Sequence, residues 1–272
     1  MDSSGDVTLA GVGKAFGDVA ALDGVSLRAG ARETVAVVGP SGCGKSTLLE
    51  LVCGLAAPDR GTVRSPPAAL MPQRDGLLPW LSALDNAGLA LRVAGESRPR
   101  ARAAAHEHFA AFGLEGFELA RPRELSGGMR QRVAFLRTLL AGRPVLCLDE
   151  PFGALDALTR GQMQRWLAGA LAREPRTVLL VTHDVEEAVL LADRIVLLSP
   201  RPGRVVATLE VDLERPRART DLEVVELRER ALTALGEPAG AAEAAAEPAG
   251  ATAARAGAAT EPSAPAVPGS RR

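Results

Sequence analysis

Five short runs of apolar, often β-branched residues recur along the chain between segments of helical composition. They cover residues 33–39, 68–73, 144–150, 176–184 and 194–200. Nearly continuous apolarity over so few residues is typical of strands that are buried on both faces of a mostly parallel sheet. The chain is therefore predicted to have an α/β fold.

The remaining segments suggest additions to this core. Residues 7–30 have the alternation and the Gly/Asp turns of antiparallel strands, which predicts a small β layer beside the main sheet. Residues from about 75 to 142 show helical patterns only, as expected of an inserted helical subdomain. A last helix is expected before residue 235, so the folded domain would cover residues 1–235. Residues 236–272 are rich in Ala, Gly, Pro and Glu, and we expect a disordered tail.

The overall composition excludes several classes of protein. The 272 residues carry a formal net charge of −1, which does not favour broad binding to nucleic acid. The three cysteines, an odd number without paired spacing, indicate neither a disulfide framework nor a zinc site. No apolar run reaches the roughly 18 residues of a membrane span, and no signal peptide is recognisable at the N-terminus. We expect a cytoplasmic protein that does not cross a bilayer by itself.

Residues 37–51 contain a phosphate-binding pattern. Gly39, Gly44, Lys45 and Ser46 match G-x-x-x-x-G-K-[ST] between a predicted strand and a predicted helix, the context that this motif requires. Its glycines let backbone N–H groups surround a phosphate, Lys45 adds positive charge, and Ser46 can bind Mg²⁺. A merely Gly-rich turn is the alternative. The predicted nucleotide-binding residues of this loop are Gly39, Ser41, Gly42, Gly44, Lys45, Ser46 and Thr47.

Asp149 and Glu150 end the apolar run at 144–150. Asp149 is a candidate second contact for Mg²⁺ beside Ser46, and Glu150 is a candidate base that deprotonates the water attacking a γ-phosphate. The alternative is that both acids only cap the turn that follows.

Residues 125–132, LSGGMRQR, indicate a second anion-binding helix start. Ser126 can cap the helix, and Gly127 and Gly128 leave backbone N–H groups free for an anion. Here the chain resembles the nucleotide-binding subunits of ATP-binding cassette (ABC) transporters, whose signature is LSGGQ; Met129 replaces the usual Gln. The resemblance covers residues from about 7 to 235 and implies a P-loop NTPase core.

The resemblance also implies roles for four further residues. Phe16 lies where the family has an aromatic that stacks on adenine, and Gln73 where a glutamine contacts Mg²⁺ and senses the membrane partner. Asp156 matches the acid of the loop that crosses to the second subunit, and His183 matches the histidine near the γ-phosphate. The family binds ATP between the phosphate loop of one subunit and the signature of its partner.

Simpler interpretations remain open for most of these residues. Phe16 could be a core aromatic, Gln73 a solvated turn residue and His183 a hydrogen-bonded structural residue. For Cys43, a thiol pKa lowered by the helix N-terminus is one hypothesis, and a small residue that fills a tight loop is the other. The basic cluster of Arg130, Arg132 and Arg137 is interpreted as a solvated helix face.

Two segments point to one group within the family. Residues 73–95, which contain LLPW and DN, and residues 201–217 resemble importers of the nitrate, sulfonate and taurine type and of pyrimidine precursors of thiamine. This implies an ATP- and Mg²⁺-dependent homodimer on the cytoplasmic face of the membrane, with two permeases and, indirectly, an extracellular or periplasmic solute-binding protein. No nucleic-acid partner is expected. The alternatives are a soluble ABC ATPase that acts on nucleic acid or ribosomes, and a P-loop kinase.

Overall fold

The computed structural model describes residues 5–236. The predicted tail lies outside the described residues except for Gly236. No helix within residues 5–236 is long and apolar enough to span a membrane. The strands of this part of the chain are β1 (Val7–Phe16), β2 (Val19–Ala29), β3 (Thr34–Val38), β4 (Arg60–Arg64), β5 (Ala68–Met71), β6 (Val145–Asp149), β7 (Thr177–Thr182), β8 (Arg194–Leu198) and β9 (Val205–Glu210). Its α-helices are α1 (Lys45–Val52), α2 (Ala83–Ala87), α3 (Leu89–Val93), α4 (Arg98–His106), α5 (Gly127–Leu139), α6 (Ala157–Arg173), α7 (Val185–Leu191) and α8 (Leu222–Leu235).

The larger sheet has six strands in the order β5-β6-β7-β3-β8-β9. All five predicted core strands are present and pair in parallel, and β9 adds to the edge of β8 in antiparallel orientation. The predicted α/β fold with a mostly parallel sheet is confirmed.

Alternate residues of the central strand β3 face two different cores. Val35 and Val37 belong to a core that includes residues of α1 and of the smaller sheet, whereas Ala36 and Val38 belong to a core that includes residues of α5, α6 and α7. Each of these four residues is at most 1% exposed. Because both faces of the sheet are covered, its strands are continuously apolar, which is the pattern that the sequence shows.

The smaller sheet is antiparallel and has the order β2-β1-β4. Its first two strands were predicted, but β4 was not. The sequence of β4, Arg-Gly-Thr-Val-Arg, is mostly exposed and lacks apolar alternation, so its pairing with β1 leaves little trace in the sequence.

The segment from about 75 to 142 contains α2 to α5 and, within the described chain, no strand. The helical pattern around α4 extends in the sequence to Leu114, but the helix ends at His106. Hydrogen bonds from residue i+3 to residue i tighten the chain there, for instance from the Phe109 N–H to the His106 carbonyl at 3.0 Å. These turns still bury Phe109 and Phe112.

The basic cluster on α5 is not a solvated face, so that interpretation is wrong. Arg130 pairs with Asp75 at 2.9 Å, and Arg132 donates to the Phe112 carbonyl at 2.6 Å. Arg137 donates to the carbonyls of Asp75 and Gly76 at 2.8 and 2.9 Å, and burial lowers the pKa of its guanidinium. The three arginines attach neighbouring loops to α5.

We predict that Arg137→Met lowers the free energy of unfolding by about 1 to 3 kcal/mol, because the substitution leaves two backbone carbonyls without their charged donor. Denaturant unfolding of both proteins measures the difference. Arg100→Met is the matched control, since the Arg100 side chain is 82% exposed and its removal should change stability by less than about 0.5 kcal/mol. Equal stability of the two variants would contradict the structural role of Arg137.

Candidate active site

Three parallel strands bring the predicted catalytic segments to one edge of the sheet. In the register of the sheet, Val38 of β3 pairs with Thr182 of β7, and Asp149 of β6 pairs with Val181. The phosphate loop, Glu150 and His183 follow directly after these strand ends. Parallel strands end on the same side, and that side is where open α/β sheets bind their ligands.

The phosphate loop leads from β3 into α1 and has a tightly determined backbone. Gly44 has φ of 105°, and a Cβ there would lie 2.7 Å from the Ala21 carbonyl oxygen, so only glycine fits. Lys45 is 6% exposed, and its Nζ donates to the carbonyls of Gly39 and Pro40 at 2.6 and 3.0 Å. This places a buried positive charge inside the loop, as phosphate binding requires.

The loop forms one wall of an open cleft of about 420 Å³. Gly39 does not line it; a Cβ on Gly39 would lie 3.0 Å from both Cys43 Sγ and the Leu198 carbonyl oxygen, so this glycine permits close packing behind the loop. Phe16 is 53% exposed at the cleft, which excludes the core aromatic interpretation. The predicted residues that line the cleft are Phe16, Ser41, Gly42, Gly44, Lys45, Ser46, Thr47, Gln73, Asp149 and Glu150.

Glu150 connects two other predicted residues. Gln73 Nε2 donates to Glu150 Oε2 at 3.0 Å, and His183 Nδ1 lies 3.3 Å from Glu150 Oε1. The backbone of Glu150 has φ of 47°, a left-handed conformation that is unfavourable for a residue with a Cβ. Neither acid side chain caps the following turn: Glu150 makes these contacts, and the Asp149 side chain lines the cleft with Ser46.

Asp149 is a buried carboxylic acid beside the phosphate loop. It is 6% exposed, and burial raises its pKa, although the Ser46 hydroxyl and the Lys45 charge act in the opposite direction. A bound cation would favour the ionised form of such a group. The oxygens of Asp149, Ser46 and Gln73 are the hard ligands that Mg²⁺ prefers. Residues 5–236 contain no group of three His, Cys, Asp or Glu side chains placed to hold a metal by themselves.

The second predicted anion-binding helix start, at residues 126–128, is not part of the lining of this cleft. Ser126 Oγ accepts a hydrogen bond from the Met129 N–H at 3.2 Å, so Ser126 caps α5 as predicted. Asp156 caps α6 through the Thr159 N–H at 3.0 Å. A Cβ on Gly128 would lie 3.2 Å from Leu155, which places the signature helix against the segment that ends at Asp156. Ser126, Gly127 and Asp156 are exposed.

Cys43 does not have the activated thiol of the first hypothesis. It is 1% exposed, and burial raises its pKa despite the nearby charges of Lys45 and Arg201. The structure therefore agrees with the alternative, a small residue that fills a tight loop. Selective modification of Cys43 in the folded protein is not expected.

Two charged residues of the site escaped the sequence analysis. Arg201, which follows β8, lines the cleft beside Gly42 of the phosphate loop. Glu187 of α7 lines a cavity of about 40 Å³ together with Glu150 and His183. Both lie far in sequence from the phosphate loop, and neither belongs to a motif with a known spacing. Only the pairing of the strands brings them to the site.

Glu187 is a buried acid that the fold keeps protonated near neutral pH. It is 5% exposed, its Oε2 accepts from the Thr182 hydroxyl at 2.8 Å, and its Oε1 has no partner among the described residues. Burial raises its pKa to about 8; the charges of Asp184 and Glu150 act in the same direction, and that of Arg160 opposes them.

We predict that Glu187 makes the folded state less stable as the pH rises. Its pKa is 4.5 in the unfolded chain and about 8 in the fold. Its favourable contribution to the free energy of unfolding is therefore complete below pH 4.5, where both states are protonated, and is lost as the pH approaches 8. Glu187→Gln cannot ionise. The advantage of this variant in unfolding free energy should therefore grow by up to about 1.4 kcal/mol per pH unit in that window.

Urea unfolding at pH 5, 6, 7 and 8 tests this prediction, with Glu174→Gln as the control because that side chain is 74% exposed. A difference between Glu187→Gln and the unsubstituted protein that does not change with pH would show that Glu187 is already ionised in the fold.

The geometry as a whole defines a class of protein. A phosphate loop, a buried acid at the end of a neighbouring strand and a carboxylate beyond it are the parts of a P-loop nucleoside triphosphatase. Comparison with known proteins makes the assignment more specific.

The family model described as ABC transporter matches residues 22–153. The chain is 45% identical over 229 residues to a taurine import ATP-binding protein of Chromobacterium violaceum, covering 78% of this chain and 88% of that protein. It is 44% identical over 234 residues to an aliphatic sulfonates import ATP-binding protein of Rhodococcus jostii, covering 84% and 92%. A dimeric, post-hydrolysis ATP-binding cassette solved with ADP and Pi aligns with TM-score 0.70 and 30% identity, covering 76% of this chain and all of that one.

The chain belongs to the ABC transporter family. The predicted ABC ATPase fold and the predicted class, an ATP-hydrolysing subunit of the taurine and sulfonate importer group, are confirmed. Neither the alternative that acts on nucleic acid or ribosomes nor the kinase is supported by these comparisons.

Proposed function

We propose that two copies of this chain enclose ATP between the cleft of one copy and residues 126–128 of the other, and that closure drives uptake through partner permeases. One observation carries this proposal: a complete phosphate loop and its acids line the cleft, whereas a second anion-binding helix start is exposed outside it. A site divided between chains is completed only on closure, so nucleotide binding can do mechanical work.

Within one copy, one group of cleft residues would bind the phosphates of ATP and another would bind its adenine. The N–H groups of the loop and the buried charge of Lys45 would hold the phosphates. The half-exposed ring of Phe16 would stack on adenine. From the second copy, Ser126, Gly127 and Gly128 would contact the γ-phosphate, and Asp156 would face the shared interface.

Mg²⁺ fits the oxygen donors at the end of β6, and we propose that Ser46, Asp149 and Gln73 hold it. When bound, the ion would neutralise charge on the phosphates. The position of all three side chains in the lining of one cleft supports this assignment.

Glu150 is the proposed general base. Its side chain lines the cleft, and Gln73 and His183 contact its two carboxylate oxygens. Gln73 and His183 would orient this carboxylate, and His183 would face the γ-phosphate side.

We predict that Glu150→Gln retains ATP binding and loses hydrolysis by about 10² to 10⁴, because the amide cannot accept the proton of the attacking water. Phosphate release with the permease present measures hydrolysis, and equilibrium titration measures binding. Glu174→Gln, an exposed acid away from the cleft, is the control. Turnover within a few-fold of the unsubstituted protein would show that Glu150 is not the base.

We also predict complementation between two inactive variants. Lys45→Ala damages the phosphate loop, and Ser126→Arg blocks the signature helix start, so each dimer of one variant carries two defective sites. In a mixed dimer both defects fall on one site and the other site is intact. An equimolar mixture should recover about a quarter of full activity, because about half of its dimers are mixed.

Mixing two separate preparations of Lys45→Ala is the control and should recover nothing. Normal hydrolysis by Ser126→Arg alone, or no recovery from two folded variants, would contradict a shared site.

For the membrane partners, we propose docking beside Gln73 on the helical segment 75–142, which would be a subdomain of an ATPase domain that ends near residue 235. This segment exposes four large apolar side chains, Trp80 at 67%, Val93 at 81%, Phe117 at 41% and Leu119 at 74%. Exposed apolar residues of this size are typical of interaction surfaces. The chain would then lie on the cytoplasmic face of the membrane, below two permeases that receive solute from a binding protein.

The proposed cargo is a small sulfonate such as taurine, a related anion such as nitrate, or a pyrimidine precursor of thiamine. Purification with the permease encoded nearby, followed by ATPase assays with each candidate solute and its binding protein, would identify the stimulating cargo. Stimulation by none of them would contradict the proposed cargo.

A further inference from the structure

Arg201 is a cationic residue of the cleft that the phosphate-loop and signature motifs do not include. It lies in the loop of residues 199–204, which connects β8 to the edge strand β9. Its side chain lines the cleft together with Gly42 and Lys45 of the phosphate loop. Arg201 therefore approaches the nucleotide position from a different part of the fold than Lys45.

The side chain of Arg201 is held against the phosphate loop. Its Nε donates to the Gly42 carbonyl at 2.8 Å. Gly42 has φ of 77°, and a Cβ there would lie only 3.1 Å from Arg201 Nη2, so the guanidinium rests directly on this glycine. The contact uses one of the five N–H groups of the side chain.

The backbone that carries Arg201 is also anchored. Ser199 Oγ donates to the Pro202 carbonyl at 3.0 Å, and the Gly203 N–H donates to the Ala21 carbonyl of β2 at 2.9 Å. The Gly203 carbonyl accepts from the Asp23 N–H at 3.0 Å. A preorganised arginine loses less conformational entropy when it binds an anion.

The charges of the cleft leave Arg201 available for a ligand. Among the described residues it forms no ion pair, in contrast to Arg204 of the same loop, which pairs with Asp23 at 2.6 Å. The charged side chains that line the cleft are Lys45, Arg201, Asp149 and Glu150, so their formal charges cancel. Without Arg201 the cleft would be formally negative, although its ligand is a polyanion.

We propose that Arg201 is a further phosphate-binding residue of the nucleotide site: it bridges the Gly42 carbonyl and the phosphates of the bound nucleotide. This inference rests on the proposed location of the nucleotide in the cleft. Arginine suits the role because its planar fork can bind a carbonyl on one side and phosphate oxygens on another.

The test is equilibrium binding of ATP and of inorganic tripolyphosphate to the full chain in EDTA, where hydrolysis does not interfere. Arg201→Gln should lower the affinity for both ligands about tenfold, which is the loss expected of one solvent-accessible charge-assisted hydrogen bond. Its affinity should also depend less steeply on salt concentration. Arg201→Lys should stay within about threefold of the unsubstituted protein, because it keeps the charge. Arg204→Gln, a cation of the same loop outside the cleft, should bind both ligands normally.

Two results would overturn the proposal. One is binding by Arg201→Gln within twofold of the unsubstituted protein. The other is an equal loss of affinity in Arg201→Gln and Arg201→Lys with an unchanged salt dependence of binding. That result would mean that Arg201 only supports the backbone of Gly42. If thermal melting without ligand shows that Arg201→Gln is unfolded, Arg201→Met, which keeps the aliphatic stem and removes the charge, replaces it with the same expected loss and the same contradicting results. Lys45→Ala distinguishes a failure of the Arg201 proposal from a failure of the proposed nucleotide site. Normal ATP binding by this variant would refute the location of the nucleotide in the cleft.

Discussion

The parallel register of β3, β6 and β7 is the constraint on which the rest of the site depends. Hydrogen bonding between these strands aligns Val38 with Thr182 and Asp149 with Val181, so the first residues beyond the strands meet at one edge. The phosphate loop, which precedes Glu150 and His183 by more than 100 residues in sequence, is thereby brought next to both. The apolar strand interiors therefore position these polar residues, because a shift of one residue in the strand pairing would separate them.

The core strands and the phosphate loop could be predicted because their signals are local. A short apolar run between helical segments indicates a strand covered on both faces, and a glycine pattern before Lys45 indicates a helix start that binds phosphate. The cap at Ser126 was predictable for the same reason, since its hydrogen bond reaches only to residue 129. Strand β4 was not predicted because its sequence is polar and mostly exposed. Only its pairing with β1 makes this segment a strand.

Interactions between distant segments could not be predicted. The contacts of Gln73 and His183 with Glu150 depend on how three loops meet, and the cleft position of Arg201 depends on the connection between β8 and β9. The type of a side chain and its local sequence likewise do not show whether the folded protein buries it. The sequence presents Arg137 as a solvated cation and Cys43 as a thiol at a helix N-terminus, but burial among neighbours decides the behaviour of both.

The left-handed backbone at Glu150 has a consequence for selection. Holding a residue with a Cβ at φ of 47° costs about 1 to 3 kcal/mol, and glycine or asparagine would adopt this conformation more easily. Neither offers the proposed base, so fold stability and turnover favour different residues at one position. Glycine or asparagine at position 150 would relieve this backbone strain and would at the same time remove the proposed base, so one substitution exchanges turnover for stability.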